Sequence, residues 1–306
     1  PLMPIKIHSD LPARAILEKE NIFVMTDNRA ETQEIRPLKI AIVNLMPTKE
    51  VTETQLLRLL GNTPLQIEIS LVRMDHISKN TDEHYLDKFY ITSNELMQKK
   101  FDGMIITGAP VEQLDFEDVD YWNELCQIMD YAKKNVYSTL YLCWGCFAGL
   151  YHHYGIKKYG LSSKMSGIFM NERTVEGDPL LRGFDDTFPI PQSRHTTLHK
   201  EDLLACQDLE ILAESAEAGV TIVKSKDNRN IFMTGHLEYD TLTLAEEYNR
   251  DRDKGMNVPL PKNYFPTNNV NRMPTSYWRA TAHLFYSNWL NYYVYQETPF
   301  ILDEIK

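Results

Sequence analysis

The stretch STLYLCWGCFAGLYHHYG, Ser138 to Gly155, joins an uncharged β-favouring run to a helix-length segment, with two cysteines three apart at the junction. Four readings of Cys143-Trp144-Gly145-Cys146 compete. A cysteine in an apolar stretch packs as a small buried hydrophobe, and Cys146 keeps that reading. A zinc site takes four ligands, usually in two local pairs. The nearest other candidates, His152 and His153, stand on the helix that follows, and the sequence has no second cysteine pair. A redox Cys-x-x-Cys also follows a strand and opens a helix, but thioredoxin places its motif after an early strand, and here three βα-like units come first. The remaining reading is a nucleophile elbow, in which a strand ends in one residue at a sharp turn with a helix directly behind it. Cys143 occupies that junction. Unpaired N–H groups and the helix dipole would stabilise its thiolate there, and Gly145, Ala148 and Gly149 would let turn and helix pack closely on the sheet.

Upstream of the elbow the chain alternates strand and helix signals. LKIAIVNL (Leu38 to Leu45) is a β-branched run, and Thr52 to Gly61 carries leucines at helical spacing between an N-terminal threonine and a closing glycine. LQIEISLVRM and FDGMIITGAP read as second and third strands, and Trp122, Leu125, Ile128, Met129 and Ala132 mark one helix face before VYSTLYLC, the fourth strand. After Gly155 the rhythm changes. LEILAES, GVTIVKS and NIFMTG are short strands, the last two separated by the turn KDNR, so this part reads as antiparallel or mixed. Two helices close the chain, Thr241 to about Lys254 and Ser276 to Gln296, with a Pro- and Asn-rich loop between them. Uncharged strands alternating with helices predict an α/β fold with a mostly parallel sheet covered on both faces. Reactive groups then gather at the carboxyl ends of the strands, where TGAPVEQ and CWG lie.

A nucleophilic cysteine needs a base held by a third group. MTGHLEYD supplies both: His236 and Glu238 follow the strand ending near Thr234, and in an extended segment residues i and i+2 point the same way. Glu238 would hold one imidazole nitrogen while the other faces the thiol. Each alone reads equally as a capped histidine or a solvated carboxylate; three independent positions agreeing make the combination more specific.

Composition narrows the partners. The 306 residues carry 32 Lys and Arg against 43 Asp and Glu, a formal charge of −11, with no basic block to track phosphates, so nucleic acid is not an expected partner. Four scattered cysteines form no disulfide framework, which fits a reducing cytosol. The N-terminal twenty residues lack an unbroken hydrophobic run and read neither as signal peptide nor as anchor. The uncharged run Val136 to Tyr151 contains Ser138, Thr139, Gly145 and Gly149 and is too short for a membrane span. A cytoplasmic protein without a membrane partner is expected.

LCWG followed by TGHLEYD resembles the class I glutamine amidotransferase-like superfamily. More closely, the chain is similar to the homoserine O-acyltransferases of methionine biosynthesis, the MetA type. That resemblance is carried by MPIKI from Met3, LPARAILEKENIFVMT, RAETQEIRPLKIAIVNLMPTK, LLRLLGNTPLQ, FDGMIITGAPVE, YWNEL, STLYLCWG, RGFDD, SRHT, NYFP and SNWLNYYVYQETP, nearly the full length. It implies a flavodoxin-like, three-layer amidotransferase fold in a single 1–306 acyltransferase domain, with a core at about 36–240 and family-specific extensions at about 1–35 and 241–306.

It further implies ping-pong acyl transfer from acyl-CoA to L-homoserine, with Cys143 as nucleophile, His236 as base and Glu238 orienting the ring. The backbone N–H of Trp144 and one from the Gly108 to Glu112 loop would form the oxyanion hole. Arg250 would pair with the amino acid carboxylate, and Lys164 and Ser193 match positions used at the same pocket. Glu112 stands where relatives carry Gly or Glu and would exclude the distal carboxylate of a succinyl group, so acetyl-CoA is the expected donor. Neither metal nor bound cofactor is implied, acetyl-CoA being a co-substrate; a homodimer is. Without the resemblance, Arg250 and Lys164 read as surface ion pairs and Ser193 as a loop cap. The chain departs from the pattern at Phe147, where a Gln is usual, at Leu237, where a Pro is usual, and at WRATAH in place of WRSHGN. These changes leave the triad intact and bear on acceptor choice, homoserine or serine. Glutamine amidotransferase or cysteine peptidase activity on the same triad, and a thiol-redox or binding protein, are the competing functions.

Overall fold

The computed structural model describes residues 5–20, 24–25, 36–75 and 82–305. Within them one mixed sheet of twelve strands runs through the molecule. In chain order these are β1 (Ile5–Lys6), β2 (Val24–Met25), β3 (Leu38–Val43), β4 (Ile67–Val72), β5 (Tyr90–Ile91), β6 (Phe101–Ile106), β7 (Val136–Leu142), β8 (Tyr159–Arg173), β9 (Thr187–Thr197), β10 (Leu209–Ser215), β11 (Gly219–Ser225) and β12 (Asn230–Met233). Spatially the order is β2-β1-β4-β3-β6-β7-β12-β11-β10-β8-β9, with β5 paired to β4. From β2 to β12 every pairing is parallel; from β12 to β9 every pairing is antiparallel.

The parallel half follows from composition. Leu38–Val43 and Phe101–Ile106 are almost wholly buried, as strands covered on both faces must be. One face packs on the helices Ala13–Lys19, Lys49–Leu60 and Arg279–Asn288, the other on Trp122–Asn135 and Trp144–Tyr154. The helix Trp122–Asn135 buries Trp122, Leu125, Ile128, Met129 and Ala132, the face read from its spacing. Sheet and two helical layers make the α/β three-layer architecture.

Three parts differ from the sequence reading or were absent from it. The helix read from Thr52 begins earlier, at Lys49. The long hairpin of β8 and β9 was not legible, because Tyr159–Arg173 mixes exposed and buried residues without strict alternation. The burial of the aromatic run from Ser276 was likewise not fixed by the sequence: Trp278, Phe285, Tyr286, Trp289 and Tyr293 are buried, while Tyr277 and Tyr295 are exposed. After Asn288 the helix continues as a π-helical segment, Trp289–Tyr295, and the Trp289 indole donates to Ser138 Oγ at 3.0 Å, tying this segment to β7.

Candidate active site

β7 and β12 lie side by side in parallel with Leu142 opposite Met233. Their carboxyl ends therefore finish together, and the Cys143 N–H donates to the Met233 carbonyl at 2.8 Å. Cys143 has φ 47° and ψ −115°, an uncommon conformation for a residue with a side chain, and the helix Trp144–Tyr154 starts at the next residue. The elbow closes tightly. A Cβ on Gly145 would fall 2.7 Å from the Thr107 carbonyl oxygen and 2.8 Å from that of Ile106. Only glycine lets this helix start so close to the end of β6. The first N–H groups of the helix, that of Trp144 among them, have no intrahelical acceptor.

Beyond β12 the chain turns rather than continuing extended: Tyr239 N–H donates to the His236 carbonyl at 3.2 Å. That turn, not strand alternation, brings Glu238 Oε1 to 2.6 Å from His236 Nδ1. The His236 N–H is anchored on the Pro191 carbonyl at 2.8 Å, and its ring stacks on Tyr239 with centroids 4.1 Å apart. The His236 ring and the Cys143 sulfur flank the same spot beside Gly108, where a Cβ would lie 3.6 Å from His236 Cε1 and 3.7 Å from Cys143 Sγ. All three groups are buried, Cys143 at 5%, His236 at 3% and Glu238 at 7% exposure.

Burial pushes the Cys143 thiol up, against the pull of His236 toward the thiolate. Burial also disfavours the imidazolium, but Cys143 and Glu238 outweigh it and hold His236 well above its usual range. A thiol proton therefore has a ready acceptor in the ring.

A cluster of polar side chains stands next to this triad. Ser193 Oγ donates to Glu247 Oε2 at 2.5 Å, Tyr239 Oη donates to Glu247 Oε1 at 2.7 Å, and the Ser193 carbonyl lies 3.8 Å from the Cys143 sulfur. Lys164 Nζ sits 2.7 Å from Asp251 Oδ2 and 3.7 Å from Glu247 Oε2. Arg250, 56% exposed at the side chain, turns its guanidinium to Asp251 Oδ1 at 3.1 Å. Glu112 is half-buried, its carboxylate accepting from the His195 N–H at 2.8 Å and from Thr196 Oγ1 at 3.5 Å, and desolvation pushes its carboxyl up.

The family model described as homoserine O-succinyltransferase matches residues 4–300. The chain belongs to that family. The acyltransferase is 57% identical over 304 residues to the homoserine O-acetyltransferase of Petrotoga mobilis, covering 99% of this chain and 98% of the relative. It is 57% identical to the enzyme of the same name from Acetivibrio thermocellus, over 99% and 100% of the two chains, and 59% identical to that of Desulfovibrio desulfuricans, over 99% and 97%. Among solved structures, SMU.1228c superposes with a TM-score of 0.55 at 15% identity, covering 82% of this chain and 97% of that one. A glutamine amidotransferase of Thermotoga maritima gives 0.55 at 10% identity, covering 84% and 98%. These structures establish the fold, a class I glutamine amidotransferase-like one.

Of the residues named from the sequence, Cys143, His236, Glu238, Ser193 and Glu112 gather about the carboxyl ends of β6, β7 and β12, while Lys164 adjoins them through Glu247 and Arg250 stands further out beside Asp251. Lys164 is not a surface ion pair, since its side chain is only 7% exposed. Sequence reasoning missed Glu247, Asp251 and Tyr239. The first two stand four apart on the helix Thr243–Asp253, where i and i+4 share a face. That spacing was a usable signal, but nothing local tied the helix to Ser193 and Lys164. Among the described residues no helix is long and apolar enough to cross a membrane.

Proposed function

We propose that this protein is an L-homoserine O-acetyltransferase that works through an acetyl thioester on Cys143. The observation that carries the reading is the elbow: a buried thiol on a left-handed residue, next to an imidazole whose Nδ1 Glu238 holds. His236 takes the thiol proton as sulfur attacks the acetyl-CoA carbonyl. The oxyanion then faces the Trp144 N–H and the Gly108 to Glu112 loop, and collapse expels the CoA thiolate, which is protonated by the imidazolium. In the second half-reaction His236 removes the proton from the acceptor hydroxyl, which attacks the thioester and releases Cys143. No bound cofactor enters either step.

An α-amino acid brings one positive and one negative group, and the cluster beside the triad has a counterpart for each. Glu247 suits the ammonium and Arg250, after swinging from Asp251, the carboxylate. Glu112 favours the acetyl donor. Its half-buried side chain fills the space beside the loop, so a longer acyl group ending in a carboxylate would meet both its volume and its charge. The test is intact-protein mass after brief incubation with acetyl-CoA alone, in which the adduct should form on Cys143 and vanish on adding homoserine. An adduct-free enzyme that still turns over would refute the covalent route.

A further inference from the structure

His152 and His153 stand in the last turn of the helix that begins at Trp144, and their partner is neither of the two cysteines at its start. His152 Nε2 lies 2.8 Å from Asp130 Oδ1 on the neighbouring helix Trp122–Asn135. The His152 and His153 ring centroids are 5.0 Å apart. One ligand atom from each of Asp130, His152 and His153 falls within 4.8 Å of the other two. His153 Nε2 is 2.9 Å from the hydroxyl of Tyr141, a fully buried residue of β7. Its Nδ1 is buried and has no hydrogen-bond partner among the described residues. A buried polar atom left without a partner needs one that the chain itself does not supply.

Two imidazoles and a carboxylate are a donor set for a first-row transition ion, whereas calcium and magnesium take oxygen ligands. Zinc bonds such atoms at about 2.0–2.2 Å, so a tetrahedral ion sets them roughly 3.3–3.6 Å apart. From the separations present this asks for small adjustments, which Asp130, its side chain 64% exposed, can supply. The Tyr141 hydroxyl is the partner that a metal-bound imidazole requires at its other nitrogen. With the Nε2 proton given to that oxygen, His153 Nδ1 keeps its lone pair for a metal. The cluster also lies at the carbonyl end of an eleven-residue helix, whose dipole favours a cation.

We propose that Asp130, His152 and His153 bind one Zn²⁺ ion, with water completing its shell, through a carboxylate oxygen, His152 Nε2 and His153 Nδ1. The ion clamps the far end of the elbow helix to the helix Trp122–Asn135. Its role is structural and separate from acyl transfer, since His152 stands nine residues beyond Cys143.

The experiment is calorimetric titration of the EDTA-treated, dialysed full chain with Zn²⁺, in a Cys143→Ala background so that the thiol of the elbow cannot take the metal. One ion per chain should bind in the micromolar range and raise the melting temperature by several degrees. Asp130→Asn and His152→Ala should each weaken binding by roughly tenfold or more and remove that rise. Co²⁺ in place of zinc should give the visible spectrum of a nitrogen and oxygen site without thiolate-to-cobalt absorption. No uptake of zinc, uptake that neither substitution weakens, or a thiolate signature each overturns the proposal. If the variants fail to fold, the wild-type chain decides: zinc should protect His152 from diethylpyrocarbonate, followed by peptide mass, and equal modification with and without the metal overturns it.

Discussion

Replacing Glu112 by glycine should convert the donor preference. The carboxylate accepts the His195 N–H at 2.8 Å and the Thr196 hydroxyl at 3.5 Å in a half-buried setting, so its removal orphans a backbone donor and opens a hole beside the Gly108 to Glu112 loop. Orphaning that donor costs about 1–3 kcal/mol of stability, visible as a lower melting temperature. The tail by which succinyl exceeds acetyl ends in a carboxylate and is slightly smaller than the glutamate side chain removed. It can enter the hole and take over both donors. Hydrogen bonds to a charged group contribute about 1.5–3 kcal/mol, which at about 1.4 kcal/mol per decade is a gain of roughly 10- to 100-fold in kcat/KM for succinyl-CoA. Acetyl-CoA leaves the hole unfilled and should lose activity. Thiol release from each donor, with homoserine saturating, gives both values. Wild-type turnover with succinyl-CoA equal to that with acetyl-CoA, or a variant that melts lower without gaining succinyl transfer, would refute the reasoning.

Cys143→Ala should abolish adduct and turnover while Cys146→Ala, a packing residue by its complete burial on the helix behind, keeps both at reduced stability; equal loss from the two would favour redox chemistry. His236→Ala should slow acylation by about a hundredfold or more, whereas Glu238→Gln should leave a slower, measurable enzyme, since it removes only the charge holding Nδ1. Glu247→Gln should raise KM for homoserine well above any change in KM for acetyl-CoA, and a mirror-image result would misplace the acceptor. Asp251 resists the burial that would raise its carboxyl because Lys164 and Arg250 hold it below the ordinary 3.8. Its folded value lies below its unfolded value, so it contributes stability above the unfolded value that is lost as pH falls through the folded one. Acid melts of Asp251→Asn should lack that part of the pH dependence, and curves parallel to wild type at every pH would contradict it.

The elbow was legible because its signals are local. A β-branched run, a cysteine and a glycine two positions on restrict φ/ψ and packing within a few residues, as does His-x-Glu. The βα rhythm before Gly155 was legible for the same reason, since strands buried on both faces must be continuously apolar. Tertiary structure alone decided that β12 lies against β7, which brings His236 to a thiol 93 residues earlier in the chain. It also decided that the β8–β9 hairpin carries Lys164 and Ser193 to the same place, and that Glu247 and Asp251 face them from a later helix. The aromatic C-terminal helix could be read as surface or core until the sheet showed what it covers. Hydrophobic periodicity records which face of an element is buried but not which element buries it. The complete burial of Arg194 leaves no local trace either, because the oxygens that hold its guanidinium are assembled only in the folded sheet.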